Sequence, residues 1–193
     1  MNITIDGIGT EQDTFLLGIK KGEELWNCEN KLKNILEQLF TKDQIIHNKK
    51  IILKEKSYFP DYRMEPSKTV VEFQGYQHYT NSKIAYLDII RKKHFLDNGY
   101  KFIEIPYFVQ LTSKVIKFLF SKTIIKYSTN FPHGFIHPKS IVIGDFCKLG
   151  LLKTKDILDT FPEEVRIDCF KSLEFRALKD NIPLNIYNPL LDE

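Results

Sequence analysis

The sequence predicts an α/β fold in which helices pack on a mixed central sheet. Two observations support this: β-rich runs alternate with segments whose apolar residues recur at helical spacing, and the predicted elements follow the order helix, three strands, helix, strand. With 193 residues, of which 42% are hydrophobic, the chain can bury the core of one domain and still carry a sizeable appendage.

The first predicted helix runs from Gly22 to Phe40, where apolar residues form one helical stripe. Two β-rich runs follow, QIIHNKKIILKEK and SYFPDYRM, and we expect them to form two antiparallel strands. The segment TVVEFQG is predicted to be a third strand, which ends at Gly75.

A long helix is predicted from Ser82 to Asp97, because Asn81 is typical of a helix N-cap and Asn98-Gly99 of a helix exit. We expect YKFIEIPYF to be a fourth strand and LTSKVIKFLFSK another helix. Together these elements form one compact domain, residues 22–127, preceded by an N-terminal segment, residues 1–21.

Residues 128–193 are expected to form a mostly helical C-terminal extension. Its first part, NFPHGFIHPKSIVIGDFCKLG, is rich in Pro and Gly and has no clean periodicity. A short helix is predicted around Lys155 to Leu158. A second helix is predicted after Thr160, whose spacing to Glu163 matches a capping box.

Composition and charge narrow the class of protein. No apolar run approaches the roughly 18 residues of a membrane helix, and no signal-peptide pattern is present, so we expect a cytoplasmic protein without membrane contact. Three cysteines without a CxxC pair indicate neither a disulfide framework nor a zinc knuckle. Residues 31–130 hold eighteen Lys and Arg against nine Asp and Glu. This basic segment suits a polyanionic partner, but on charge alone a Lys-rich solvated surface is the better explanation.

Two carboxylates are the main candidates for chemistry. Asp61 ends a predicted strand, and Glu72 lies inside the next strand, where packing alone would favour Val or Ile. A hairpin would bring both carboxylates together, and they repel unless a cation or proton intervenes. Mg²⁺ accepts such oxygen ligands. Gln74 shares a strand face with Glu72 and could hold a water molecule. Taken singly, Asp61 is more simply a turn residue.

An ordered set of residues extends this pair. Pro60-Asp61 and Glu72-Phe73-Gln74 are followed by Gly75, His78, Asp88, Arg91 and Gly99. Over residues 22–120 this pattern resembles the PD-(D/E)XK nuclease superfamily, and more specifically the branch that contains very-short-patch-repair endonucleases and small nucleases of phages and mobile introns. The resemblance implies a restriction-endonuclease-like core of a helix, three antiparallel strands, a helix and a strand.

The resemblance also implies roles for individual residues. Asp61 and Glu72 would bind Mg²⁺, or Mn²⁺ in its place, with the backbone carbonyl of Phe73 as a third ligand. Glu29 matches a glutamate that many members place near the metal, and Glu24 is its rival. His78 would act on the water or on the leaving group, since an ordinary histidine titrates near neutral pH.

At Gln74 the sequence departs from the superfamily, where most members have Lys. A neutral amide can orient water but supplies no positive charge, so the metal, Arg91 or Lys92 would have to stabilise the transition state. Arg91, Lys92, Lys83 and Arg63 are candidate contacts to nucleic acid. An ion pair of Asp88 with Arg91 or Lys92 along one helix is the alternative to a phosphate-facing role.

The sequence therefore predicts a Mg²⁺-dependent DNA endonuclease that hydrolyses phosphodiester bonds directly. The alternative is a catalytically inactive nucleic-acid-binding module on the same fold, which Gln74 favours. A metal-free structural protein with a fortuitous pattern is a third possibility. Restriction, homing, repair and junction resolution stay equally open. Cutting both strands would need two sites and hence a homodimer.

Overall fold

The computed structural model describes residues 29–65, 67–109, 111–122, 146–167 and 169–170. In chain order the elements are α1 (Glu29–Leu39), a 3₁₀ turn (Lys42–Gln44), β1 (Ile45–His47), β2 (Ile51–Leu53), β3 (Lys56–Tyr58), β4 (Tyr62–Met64), β5 (Thr69–Gln74), α2 (Gln77–Thr80), α3 (Ser82–Asp97), β6 (Lys101–Pro106), α4 (Ser113–Phe120) and α5 (Lys148–Asp159). Further helical residues follow at 163–167.

The main sheet has four strands in the order β1-β4-β5-β6. The pairs β1·β4 and β4·β5 are antiparallel, whereas β5·β6 is parallel, with α2 and α3 in the connection between them. A parallel pair requires such a crossover, because its strands run in the same direction. The fold is therefore mixed α/β, as the sequence predicts.

The two β-rich runs before β5 do not form one strand each, and this part of the prediction is wrong. Each run is divided, into β1 and β2 and into β3 and β4, and β2 and β3 form a separate hairpin. The hairpin turn consists of Lys54 and Glu55, with φ of 45° and 69°. Two consecutive positive φ values suit the right-handed twist of a two-residue hairpin, so local turn geometry overrides the continuous β propensity.

The predicted bounds of the long helix are confirmed. α3 begins at Ser82, and the Asn81 side chain accepts hydrogen bonds from the backbone N–H groups of Lys83 and Ile84. The helix ends before Gly99, whose φ of 77° lies in the left-handed region. An Asn cap and a left-handed glycine satisfy the backbone groups that a helix leaves unpaired at its two ends.

The main core lies on the sheet face covered by α1 and α4. The stripe of α1 predicted from the sequence, which includes Leu32, Ile35 and Leu36, is fully buried there. Strand residues of the same cluster are Tyr62, Met64, Val71, Ile103 and Ile105. The part of the predicted helix before Glu29 lies outside the described residues.

The opposite sheet face lies beneath α3 and differs between its two ends. Leu53, Val70 and Phe95 form a small apolar cluster at one end. At the other end the buried side chains are polar, and they include Glu72, Gln74 and Glu104. Polar groups in such a position require partners, because an unpaired buried polar group destabilises the fold.

The C-terminal segment contributes to the main core, the one that α1 and α4 cover, through residues such as Ile157, Leu158 and Val165. Its helix α5 has 12 residues, so the predicted short helix around Lys155 to Leu158 is too short. Thr160 ends α5, and its hydroxyl donates to the carbonyl of Ile157 instead of capping the next helix. Within the described ranges, no helix is both long and apolar enough to span a membrane.

Candidate active site

The strand register brings Asp61 and Glu72 together. In the antiparallel pair β4·β5, Tyr62 lies opposite Val71, so Asp61, one residue earlier, reaches the level of Glu72. The Asp61 carboxylate accepts a hydrogen bond from the backbone N–H of Phe73, with 2.8 Å between Oδ2 and N. This contact fixes Asp61 at the end of β5, beside the carboxylate that the sequence predicts as its partner.

Glu72 is a buried carboxylate with incomplete charge compensation. Only 5% of the residue is exposed. Burial raises the pKa of Glu72 to about 8; the Arg91 guanidinium opposes this shift, and the carboxylates of Asp61 and Asp88 add to it. Arg91 contacts Glu72 Oε1 directly and also donates to the carbonyl of Phe59. The Glu72 carboxylate therefore attracts positive charge, and the Arg91 guanidinium alone does not offset the effect of burial on its pKa.

Gln74 lies on the same sheet face as Glu72, as strand alternation predicts, and its side chain is held at both ends. Its Nε2 donates to Glu104 Oε1 at 3.0 Å, and its Oε1 accepts from the Tyr79 hydroxyl at 3.3 Å. Gln74 is 2% exposed, so the amide lies in the interior of the site. Within the described part of the chain, one Nε2 hydrogen is left for a further acceptor.

Glu104 is a site residue that the sequence reasoning missed. In the parallel pair β5·β6 it lies directly opposite Glu72. It is 6% exposed, and its carboxylate contacts Lys92 Nζ at 2.5 Å and Lys153 Nζ at 3.6 Å. The available signal was the one used for Glu72: a carboxylate inside an apolar strand, here FIEIP, requires a polar partner.

His78 belongs to a second set of charged contacts. Its Nδ1 lies 2.7 Å from Asp88 Oδ2, and the same oxygen lies 2.6 Å from Lys153 Nζ. Burial alone would raise the pKa of Asp88, but hydrogen bonds from His78 and Lys153 outweigh it and lower the pKa below its ordinary value. Asp88 is therefore ionised at neutral pH, and His78 must donate through Nδ1.

These contacts differ from the ion pair along α3 that the sequence leaves open as the alternative to a phosphate-facing role. Arg91 pairs with Glu72 and Lys92 with Glu104, whereas Asp88 contacts His78 and Lys153. The contacts join α3 to the sheet, to α2 and to α5 instead of stabilising one helix. Spacing along a helix gives the neighbours on that helix, but a buried side chain pairs with the charge of the element packed against it.

The remaining predicted residues lie further from this centre. Lys83 is exposed in the first turn of α3. Arg63 lies on β4, where its Nε is 3.2 Å from Glu65 Oε1. Glu29 is the first residue of α1; its side chain, like Glu24, lies outside the described part of the chain.

The donor set around Asp61 is suited to a hard cation. Asp61 and Glu72 lie at the same level of adjacent strands, and the pKa of Glu72 is raised by burial and further by the charge of Asp61, which a divalent ion would neutralise. Across the described ranges, no three His, Cys, Asp or Glu side chains converge into a metal-binding group. Asp61 and Glu72 thus fit an ion that takes two carboxylates and completes its coordination with backbone oxygen, water and phosphate.

Comparisons of the chain with protein-family models, with curated proteins and with solved structures gave no significant match.

Proposed function

We propose that this chain is a Mg²⁺-dependent DNA endonuclease with a restriction-endonuclease-like core of the PD-(D/E)XK type. The observation that carries the proposal is the pairing of Asp61 with a buried Glu72 whose pKa is raised to about 8. Two such carboxylates repel each other unless a cation or a proton neutralises one of them, and a carboxylate with a strongly perturbed pKa is typical of a functional site.

Asp61, Glu72 and the backbone carbonyl of Phe73 would hold the ion, with Mn²⁺ able to replace Mg²⁺. When bound, the ion would withdraw charge from the phosphate and make water more acidic. Arg91 lies beside Glu72 and Lys92 beside Glu104, so both can supply the positive charge that Gln74 lacks.

Hydrolysis would proceed without a covalent intermediate. His78 donates through Nδ1 to Asp88, and its Nε2, which contacts no acceptor or donor among the described residues, would accept a proton from the attacking water. The water oxygen bonds to phosphorus as the bond from phosphorus to the leaving sugar oxygen breaks, and solvent protonates the leaving oxygen. The His78 side chain is 29% exposed, which is compatible with contact to an incoming phosphate.

The charge around the candidate site is compatible with a polyanionic substrate, and the carboxylate pair of the site points to its phosphate groups. Residues 31–130, which contain this site, carry a large excess of Lys and Arg. Lysine side chains near the cleft would contact the phosphate backbone without reading sequence, and binding should weaken as salt rises. Cleavage of both strands would require a homodimer that presents two sites.

The test is cleavage of supercoiled plasmid, linear duplex and branched DNA with Mg²⁺ or Mn²⁺. The wild type is compared with Glu72→Ala and Asp61→Asn, and with Glu163→Gln, which changes an exposed carboxylate outside the site. We expect metal-dependent cutting by the wild type and by Glu163→Gln, and none by the two site variants. Equal cutting by all four proteins would refute this assignment of the site.

A catalytically inactive nucleic-acid-binding module is the second candidate. The observation in its favour is Gln74, a neutral residue whose amide is already engaged by Glu104 and Tyr79. This module would bind all three DNA substrates in a salt-dependent manner and cut none. Electrophoretic mobility shifts, measured on the same samples, separate the two candidates.

A further inference from the structure

Helix α5, which lies outside the region of family resemblance, packs directly against the candidate active site. A Cβ added to Gly150 would lie 1.9 Å from the backbone oxygen of Tyr79, so only glycine permits this approach. The backbone N–H of Cys147 donates to the same oxygen at 2.9 Å. Lys153 follows Gly150 by three residues and therefore shares its helix face.

Lys153 is a buried lysine that contacts two carboxylates of the site. Its side chain is 4% exposed, and Nζ lies 2.6 Å from Asp88 Oδ2 and 3.6 Å from Glu104 Oε1. The ammonium also lies 5.1 Å from the centre of the Tyr79 ring. One side chain thus links α5 to α3, to β6 and to α2.

Each carboxylate that contacts Lys153 also holds a candidate catalytic side chain. Asp88 accepts from His78, and Glu104 accepts from Gln74. A buried ion pair adds little to stability compared with an apolar side chain of similar size, so packing does not explain the lysine. Its charge is explained by the two buried carboxylates that it contacts and holds in place.

We propose that Lys153 is a positioning residue of this active site, which orients His78 through Asp88 and Gln74 through Glu104. The inference rests on the proposed function for its catalytic consequence, whereas the effect on His78 can be measured without it. The charged groups that act on His78 through Asp88 are Lys153 from α5 and Glu72 from β5. Without Lys153, the Asp88 carboxylate would lose its buried partner on α5 and would hold the His78 ring less firmly in place.

The experiment compares wild type with Lys153→Met, which removes the charge and keeps the length, and with Lys153→Arg, which keeps the charge. Lys148→Met is the matched control, because Lys148 is an exposed lysine on the same helix. Two quantities are measured: kcat and KM for DNA cleavage, and the ¹⁵N NMR signals of the His78 ring at fixed pH. The NMR signals report which ring nitrogens carry protons, whether or not the protein cuts DNA.

For Lys153→Met we expect kcat to fall about 10- to 100-fold, as for other groups that orient site residues, with KM changed by less than about twofold. The His78 ring signals should move away from their wild-type positions, because the contact between Nδ1 and Asp88 changes when Lys153 no longer holds that carboxylate. Lys153→Arg should lose less activity than Lys153→Met, and Lys148→Met should match the wild type in both measurements. These results together would support the proposal.

The proposal is overturned if Lys153→Met cuts as the wild type does, or if its His78 signals are unchanged. It is also overturned if Lys153→Met fails to fold by circular dichroism, because the charge would then serve the fold. If the wild type cuts no DNA, the endonuclease proposal is refuted, but the positioning role of Lys153 is not. The His78 signals then decide the positioning role: a shift in Lys153→Met supports it and identical spectra refute it.

Discussion

Glu72→Gln tests whether this carboxylate destabilises the metal-free protein. The pKa of Glu72 rises from 4.5 to about 8 on folding, with burial as the main cause. Because one pKa unit corresponds to about 1.36 kcal/mol, the ionised form lowers the free energy of unfolding by about 5 kcal/mol relative to the protonated form. That is a large fraction of the roughly 5–15 kcal/mol that stabilises an ordinary domain.

The direction of the pKa shift determines how stability changes with pH. The folded protein binds the Glu72 proton more tightly than the unfolded chain does. The stabilisation from this proton is therefore complete below pH 4.5 and is lost as pH rises to about 8. Wild-type protein should therefore become less stable across this window. Glu72→Gln cannot ionise, so its stability relative to the wild type should increase by up to about 5 kcal/mol over the same range.

The assay is urea unfolding followed by circular dichroism, with a chelator present, at several pH values across this window. Glu163→Gln is the control, since changing an exposed carboxylate should alter stability by less than about 0.5 kcal/mol at any pH. The reasoning is refuted if the free energies of unfolding of wild type and Glu72→Gln differ by the same amount at every pH.

In a separate titration without chelator, saturating Mg²⁺ should stabilise only proteins that retain Glu72, by about 2.7 kcal/mol at 100 times Kd.

Two further predictions concern the elements that hold the site. Gly150→Ala should destabilise the protein by about 1–3 kcal/mol, because its methyl group would lie 1.9 Å from the Tyr79 carbonyl oxygen. Thermal unfolding should therefore show a lower Tm than that of the wild type. An unchanged Tm would show that α5 does not pack so closely against Tyr79. Asn81→Ala removes the side-chain cap of α3 and should lower the free energy of unfolding by about 1 kcal/mol in urea titrations, whereas Asn81→Asp, which can still accept both bonds, should not.

Much of the secondary structure was predictable because it depends on neighbours in sequence. The bounds of α3 follow from Asn81 and Gly99, and the existence of β5 from its β-branched residues. The meeting of Asp61 and Glu72 was also predictable, since a short antiparallel connection leaves few registers. The hairpin at Lys54 and Glu55 was not, because positive φ at two residues without glycine leaves a weak sequence signal.

The sequence by itself determined the α/β order of elements, the strand that carries Glu72 and the presence of buried charge. Only the tertiary structure decided which charges meet. Glu104 reaches Glu72 through a parallel pairing that needs a crossover, and Lys153 reaches Asp88 across 65 residues of chain. Local patterns depend on steric and hydrogen-bonding preferences of adjacent residues, whereas the partner of a buried charge depends on how whole elements pack.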